Sequence, residues 1–181
     1  PDYRLMIDCY MALDVPYTID LTNAVKEANL YWIEEPLPPH DLESHKHIKQ
    51  ACPWQKFATG EHTNSRYGFR KIIEDRSVDI LQPDITLCGM TEILRIAAMA
   101  SAYDITVIPH CSGVYAYNFG ISSTITPFNE FINLHPTAEK IVPIFGSIFT
   151  NEPVPINGEV TLTDLPGFGV EFNDAVELEE I

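Results

Sequence analysis

Six side chains able to bind a metal or move a proton follow one another along this chain at nearly regular intervals. Asp8, Glu34, Glu61, Asp84, His110 and Glu130 are spaced by 20 to 27 residues, about the length of one strand-and-helix unit. Five of them end an apolar run, in "RLMID", "LYWIE", "KFATGE", "VDILQPD" and "ITVIPH", and Glu130 lies inside a sixth, "FNEFI". Any one acidic residue in such a place reads as a helix cap or a solvated group. In register at one rim they read differently. Neighbouring parallel strands lie about 4.8 Å apart, so Asp8, Glu34 and Glu61 converge on a single point, where three carboxylates repel one another unless a cation is bound. All-oxygen ligation favours a hard ion, Mg²⁺ first and Mn²⁺ second. His110, after an apolar strand, suits a general base, and Asp84 one unit earlier is placed to bond one ring nitrogen and raise the basicity of the other. Glu35, next to Glu34 in "WIEEP", is expected to point to the other face of the strand and support its neighbour.

Elements must hold these groups in that order. Between most of the apolar runs lie stretches of helical character: "PYTIDLTNAVKEAN", "DLESHKHIKQAC", "SRYGFRKIIED" and "MTEILRIAAMASAYD". In the last, Ile93, Ile96, Ala97 and Ala100 recur at helical spacing, and Asp41 is a candidate cap for the second. The alternation predicts an α/β fold of about six βα units with a mostly parallel sheet, either doubly wound or a (β/α) barrel. In both, the carboxyl ends of the strands carry the site. Residues 1–150 are expected to form this catalytic unit. From residue 151 the chain turns rich in Pro and Gly with short β-like runs, so 151–181 is read as a separate tail.

Composition narrows the function. With 181 residues and 45% hydrophobic content the chain builds a sizeable core, although a complete barrel needs roughly 200 to 250 residues. A net charge of −15 opposes binding to nucleic acid. No apolar run approaches the roughly 18 to 20 residues of a membrane span, and no secretory leader is visible, so no membrane partner is expected. Cys9, Cys52, Cys88 and Cys111 form no C-x-x-C pair and fit reduced thiols, hence a cytoplasmic protein. His40, His45 and His47 resemble a metal cluster, yet a charged helical stretch makes a solvated face the better reading. "GVYAYNFG" lacks the G-x-G-x-x-G fingerprint, and there is no P-loop and no G-x-S-x-G elbow.

The motifs "MIDCYMALD", "WIEEPLPP", "ATGEH", "LQPD", "VIPHCSGVY" and "FNEF", in this order and spacing, resemble the enolase superfamily in its mandelate racemase-like branch. Glu61-His62, "PHCSGVYAYN", "NEPVPINGEV" and "PGFGVEFN" make the chain most similar, within that branch, to the rhamnonate dehydratases. The resemblance implies Asp8, Glu34 and Glu61 as Mg²⁺ ligands, Asp84 and His110 as a catalytic dyad, Glu130 as a partner of the substrate carboxylate, and His62 in the pocket. It implies a lyase that converts an acid sugar, L-rhamnonate, into a 2-keto-3-deoxy acid, since such sites form an ene-diolate beside Mg²⁺. A racemase or epimerase of the same superfamily, or a non-catalytic truncated unit, are the alternatives. Measured against the family, the chain opens near the third barrel strand, which implies a partial barrel without the first two strands and the N-terminal capping domain, towards which the tail would pack. The isolated chain is then expected to be catalytically silent, and the full-length form a homo-oligomer.

Overall fold

Five of the six apolar runs become strands in the computed structural model, which describes residues 3–177. They are β1 (Met6–Asp8), β2 (Trp32–Glu34), β3 (Phe57–Thr59), β4 (Ile80–Leu81) and β5 (Thr106–Val107). All pair in parallel, in chain order. That order decides between the two architectures. A doubly wound sheet reverses direction at a switch point and puts helices on both faces, whereas an order that never reverses, with right-handed crossovers, puts every helix on one face. The sheet is therefore a section of a (β/α) barrel. The sixth run, residues 128–132, forms no strand. The chain meets the edge of β5 through Val107 N–H to Ile125 O (3.2 Å) and then crosses the face opposite the helices, where Phe128 stacks on Trp32 at 5.8 Å and 10°.

The helices begin where local chemistry starts them. α1 (Val15–Ala24) is capped by the Asp14 carboxylate, which accepts from Tyr17 N–H, with Pro16 in the first turn. In α2 (Leu42–Ala51) the Asp41 carboxylate accepts from Ser44 N–H at 3.2 Å, as the sequence suggests. α3 (Arg66–Asp75) ends on Arg76 in the left-handed conformation. A short α4 (Ile85–Cys88) precedes α5 (Met90–Ser101), whose Ile93, Ile96, Ala97 and Ala100 are the buried stripe expected from their spacing. α6 (Val114–Ser122) occupies "GVYAYNFG", where the sequence gives no helical stripe, because its buried residues lie all round it.

Period-two alternation divides the core. Ile33, Phe57, Leu81 and Val107 join the helix-side core with Ile48, Phe69, Ile72, Ile93 and Ile96. Trp32, Ala58, Ile80 and Ile108 form a smaller cluster on the opposite face with Phe128 against it. The tail shows isolated antiparallel bridges, Phe149 to Phe172 and Ile156 to Glu159, where β-like runs are expected. It is laced to the residues before it: the buried Glu152 carboxylate accepts from Ile144 and Phe145 N–H, each at 3.0 Å, and Phe168 packs edge-on against Tyr115 of α6 at 4.6 Å. Residues 1–2 and 178–181, at the outer ends of the two expected units, lie outside the described residues. Among the described residues no helix is long and apolar enough to cross a membrane. The four cysteines are free thiols. His45 corrects the solvated-face reading: it is fully buried, with Nδ1 2.9 Å from Asp41 O, while His40 and His47 are exposed. One turn of α2 separates His45 from the carbonyl that accepts its proton, so the ring turns inward and burial pulls its pKa down.

Candidate active site

At the carboxyl ends of the strands, β1 and β2 set two carboxylates side by side, with Asp8 opposite Glu34 in register. Asp8 caps its own turn by accepting Tyr10 N–H at 2.9 Å. Glu34 is only 5% exposed, on the same face as Trp32, whose indole Nε1–H donates to Glu34 Oε2 at 3.0 Å. Burial pushes its pKa up to about 7, and the negative charges of Glu130 and Asp8 add to this, while Gln82 and the indole oppose it. Neither polar atom of the buried Gln82 side chain has a hydrogen bond of good geometry, so the indole is the firmer contact. Glu61 follows β3 across Gly60, which has φ +146° and whose place a Cβ could not share with Gln82 N, 2.8 Å away. The turn that delivers Glu61 is pressed directly on β4.

Asp84 and His110 sit one unit apart, bridged in parallel through their backbones. Asp84 Oδ1 accepts from Thr86 N–H (2.7 Å), Thr86 Oγ1 (2.6 Å) and Ser112 Oγ (2.8 Å), and Oδ2 lies 3.5 Å from His110 Nδ1. Both readings of a strand-end acid hold here, since Asp84 caps α4 and also faces the histidine. Burial would raise its pKa, but the donors from His110, Thr86 and Ser112 bring it down to about 2. On the other side of the ring, His110 Nε2 is 3.3 Å from Glu61 Oε2. Asp84 above all, and then Glu61 and Glu130 against the opposing effect of burial, hold the imidazole up to about 9. At 3.5 Å the Nδ1 contact is an ion pair rather than a short hydrogen bond. Glu130 Oε2 accepts Cys111 N–H at 2.7 Å, and burial raises its pKa.

Glu35 does something other than brace Glu34. It follows the end of β2 with φ +37°, is 1% exposed, and accepts from Thr59 Oγ1 (2.8 Å) and Gly60 N–H (3.4 Å) through Oε1. Its Oε2 lies 2.9 Å from His62 Nδ1, and Glu61 Oε1 is 3.5 Å from the same nitrogen. Among the described residues, Glu35, Glu61 and His62 are the metal-ligating types whose atoms gather within 4.8 Å, a tighter set than the expected Asp8, Glu34 and Glu61. A proton on His62 Nδ1 already satisfies that tighter set, so it is a hydrogen-bonded cluster.

Asp8, Glu34 and Glu61 still fit a hard divalent cation by their own chemistry. Burial raises the pKa of Glu34 and Glu61, and the groups acting most strongly on them include no lysine or arginine, so the rim carries negative charge that a cation would offset. Asp8, Glu34, Glu35, Glu61, His62, Asp84, His110 and Glu130, the eight residues singled out from the sequence, lie together at this rim. Sequence reasoning missed Trp32, which bonds Glu34, and Ser112, which accepts Ile85 N–H at 2.9 Å while bonding Asp84. Trp32 carried a signal, since it lies two residues before Glu34 in β2 and so on the same face of the strand, whereas Ser112 lies past the end of β5, where alternation no longer applies.

A family model described as enolase C-terminal domain-like matches residues 1–176. An L-rhamnonate dehydratase of Saccharopolyspora erythraea is 44% identical over 180 residues, which are 98% of this chain and 46% of that protein. The crystal structure of L-rhamnonate dehydratase from Gibberella zeae superposes with a TM-score of 0.92 at 49% identity, covering 97% of this chain and 45% of the other. A Gibberella zeae rhamnonate dehydratase complexed with Mg gives 0.89 at 48% identity, covering 97% and 44%. The chain spans about half the length of these relatives.

Proposed function

The chain belongs to the enolase C-terminal domain-like family, and from that premise we propose that the protein dehydrates an acid sugar, L-rhamnonate, to 2-keto-3-deoxy-L-rhamnonate. The observation that carries this reading is the alignment of Glu61, His110 and Asp84, with Nε2 of the ring at 3.3 Å from one carboxylate and Nδ1 at 3.5 Å from the other. The relatives named L-rhamnonate dehydratase, at 44% and 49% identity, support the substrate. A relative complexed with Mg supports the ion.

Asp8, Glu34 and Glu61 are the residues that would hold Mg²⁺, which when bound supplies a Lewis acid opposite the negative charge that develops on the substrate carboxylate. His110 takes the proton next to that carboxylate at Nε2, and Asp84, 3.5 Å from Nδ1, orients the ring by its charge. Positive charge at the neighbouring carboxylates opposes the upward pull on His110 and favours its base form. Glu130, buried at this rim with its pKa raised by that burial, is the hydrogen-bonding partner of the substrate carboxylate. His62 faces the hydroxyls of the sugar chain. Loss of the 3-hydroxyl as water follows, helped by the proton that His110 has gained, and tautomerisation gives the 2-keto product.

The test is a panel of aldonic acids incubated with the full-length protein and Mg²⁺, with 2-keto acid as the readout. Formation of 2-keto acid from L-rhamnonate is expected. Turnover confined to a substrate that is not a sugar acid, or inversion at the α-carbon without loss of water, would reject the reading.

A further inference from the structure

His62 is the one histidine at this rim whose ring is held by a residue outside the proposed ligand set and dyad. Glu35, which does the holding, is almost fully buried in a backbone conformation that a side chain rarely adopts, φ +37°. A buried residue kept in such a conformation marks a position where the side chain's direction matters. The Glu35 carboxylate bonds the end of β3 and the turn that follows it: Oε1 takes Thr59 Oγ1 and Gly60 N–H, and Oε2 takes His62 Nδ1 at 2.9 Å. From the other side the Tyr10 ring meets the His62 ring edge-on at 5.7 Å and 69°. The His62 side chain is 34% exposed, and its Nε2 bonds no described residue.

We propose that Glu35 is a positioning residue which, by accepting Nδ1–H of His62, sets the tautomer of that ring so that Nε2 presents a lone pair to a hydroxyl of the substrate. The proposal rests on the acid-sugar reading for the nature of the ligand, but the setting of the ring stands on this chain's own contacts. An ionised carboxylate only accepts, so a neutral imidazole beside it must put its single N–H on the facing nitrogen. Nε2 is then an acceptor, suited to a hydroxyl and not to a carboxylate. Selection for a polyhydroxylated acid follows from that polarity.

The isosteric change Glu35→Gln reverses it. Gly60 N–H and Thr59 Oγ1 donate to the Oε1 position, so the amide oxygen must take that place, which turns the amide NH₂ towards His62 Nδ1. The ring must then accept at Nδ1 and carry its proton on Nε2. The experiment uses the full-length protein labelled with ¹⁵N-histidine at about pH 8.5, above the ordinary range of histidine titration. Two-bond ¹H–¹⁵N spectra are expected to show His62 as the Nδ1–H tautomer in the wild type and Nε2–H in E35Q. In the variant kcat/KM for L-rhamnonate is expected to fall about tenfold, as for one mispaired hydrogen bond, with Mg²⁺ affinity unchanged. An Nε2–H tautomer in the wild type overturns the proposal without any mutation. So does an unchanged tautomer in a folded E35Q, or a reversed tautomer with unchanged kcat/KM. If the tautomer reverses but the wild type dehydrates no aldonic acid, the acid-sugar reading falls and the positioning of His62 by Glu35 stands.

Discussion

Replacing Glu34 by Gln should stabilise the metal-free protein, and by an amount that depends on pH. The carboxyl is 5% exposed with one hydrogen bond of good geometry, to Trp32, and its pKa is raised from 4.5 to about 7, first by burial. At about 1.4 kcal/mol for each pH unit, the charged form costs the fold about 3 kcal/mol once it is fully ionised. The folded pKa lies above the unfolded one, so the stability from this group is present below about pH 4.5 and is lost as pH rises through 7. Gln keeps the shape and stays neutral. In a chelator, at about pH 8, E34Q should therefore be more stable by about 3 kcal/mol, a rise in Tm of about 6 to 12 °C for a domain of this size. Near pH 5 the gain should shrink below about 1 kcal/mol. His110, raised to about 9, also lowers stability as pH climbs, but equally in both proteins, so it cancels in the comparison. Urea unfolding at the two pH values reads the difference. Added Mg²⁺ should then stabilise the wild type and leave E34Q nearly unmoved. A variant less stable than wild type at pH 8, or one with the same gain at both pH values, would refute the reasoning.

Gly60→Ala should lose about 3 kcal/mol or more by urea unfolding, since φ +146° and backbone 2.8 Å from the new Cβ leave no room to yield. Removing the cap of α2 in Asp41→Ala should cost about 1 kcal/mol in the same assay, because Ser44 N–H loses its acceptor. Asp84→Asn should lower the His110 pKa of the metal-free protein by more than about one pH unit in an NMR titration, Asp84 being the largest influence holding it up. An unchanged titration would mean that Glu61 and Glu130 suffice.

The sequence revealed the parts of the fold that periodicity encodes. Polar residues ending apolar runs at one-unit intervals marked the rim, and the stripe Ile93, Ile96, Ala97, Ala100 marked the buried face of α5. Where the pattern is blurred, so was the reading. α6 buries Val114, Ala116, Tyr117 and Phe119 all round its axis, so no stripe distinguishes it from a loop. "FNEFI" reads as one more apolar run, yet Phe128 is drawn onto Trp32 and the chain leaves the edge of β5. His45 lies in a charged stretch, but burial is a property of the helix's partners rather than of its neighbours in sequence. The partners of Glu35, which are Thr59, Gly60 and His62 rather than Glu34, lie on the neighbouring strand and its turn, where a single strand's pattern carries no signal. The choice between a doubly wound sheet and a barrel section rested on strand order, which the parallel pairing in chain order settles.

The central claim is that His110, held between Glu61 and Asp84, removes the α-proton of an acid sugar. The most direct measurement is the ¹H NMR spectrum of L-rhamnonate with full-length protein and Mg²⁺ in D₂O, compared with the His110→Asn variant. The account predicts Mg²⁺-dependent conversion to the 2-keto-3-deoxy acid by the wild type. In H110N it predicts neither dehydration nor α-proton exchange, a loss of at least about 10³-fold, with Mg²⁺ binding by calorimetry largely kept. Undiminished dehydration by H110N would contradict it.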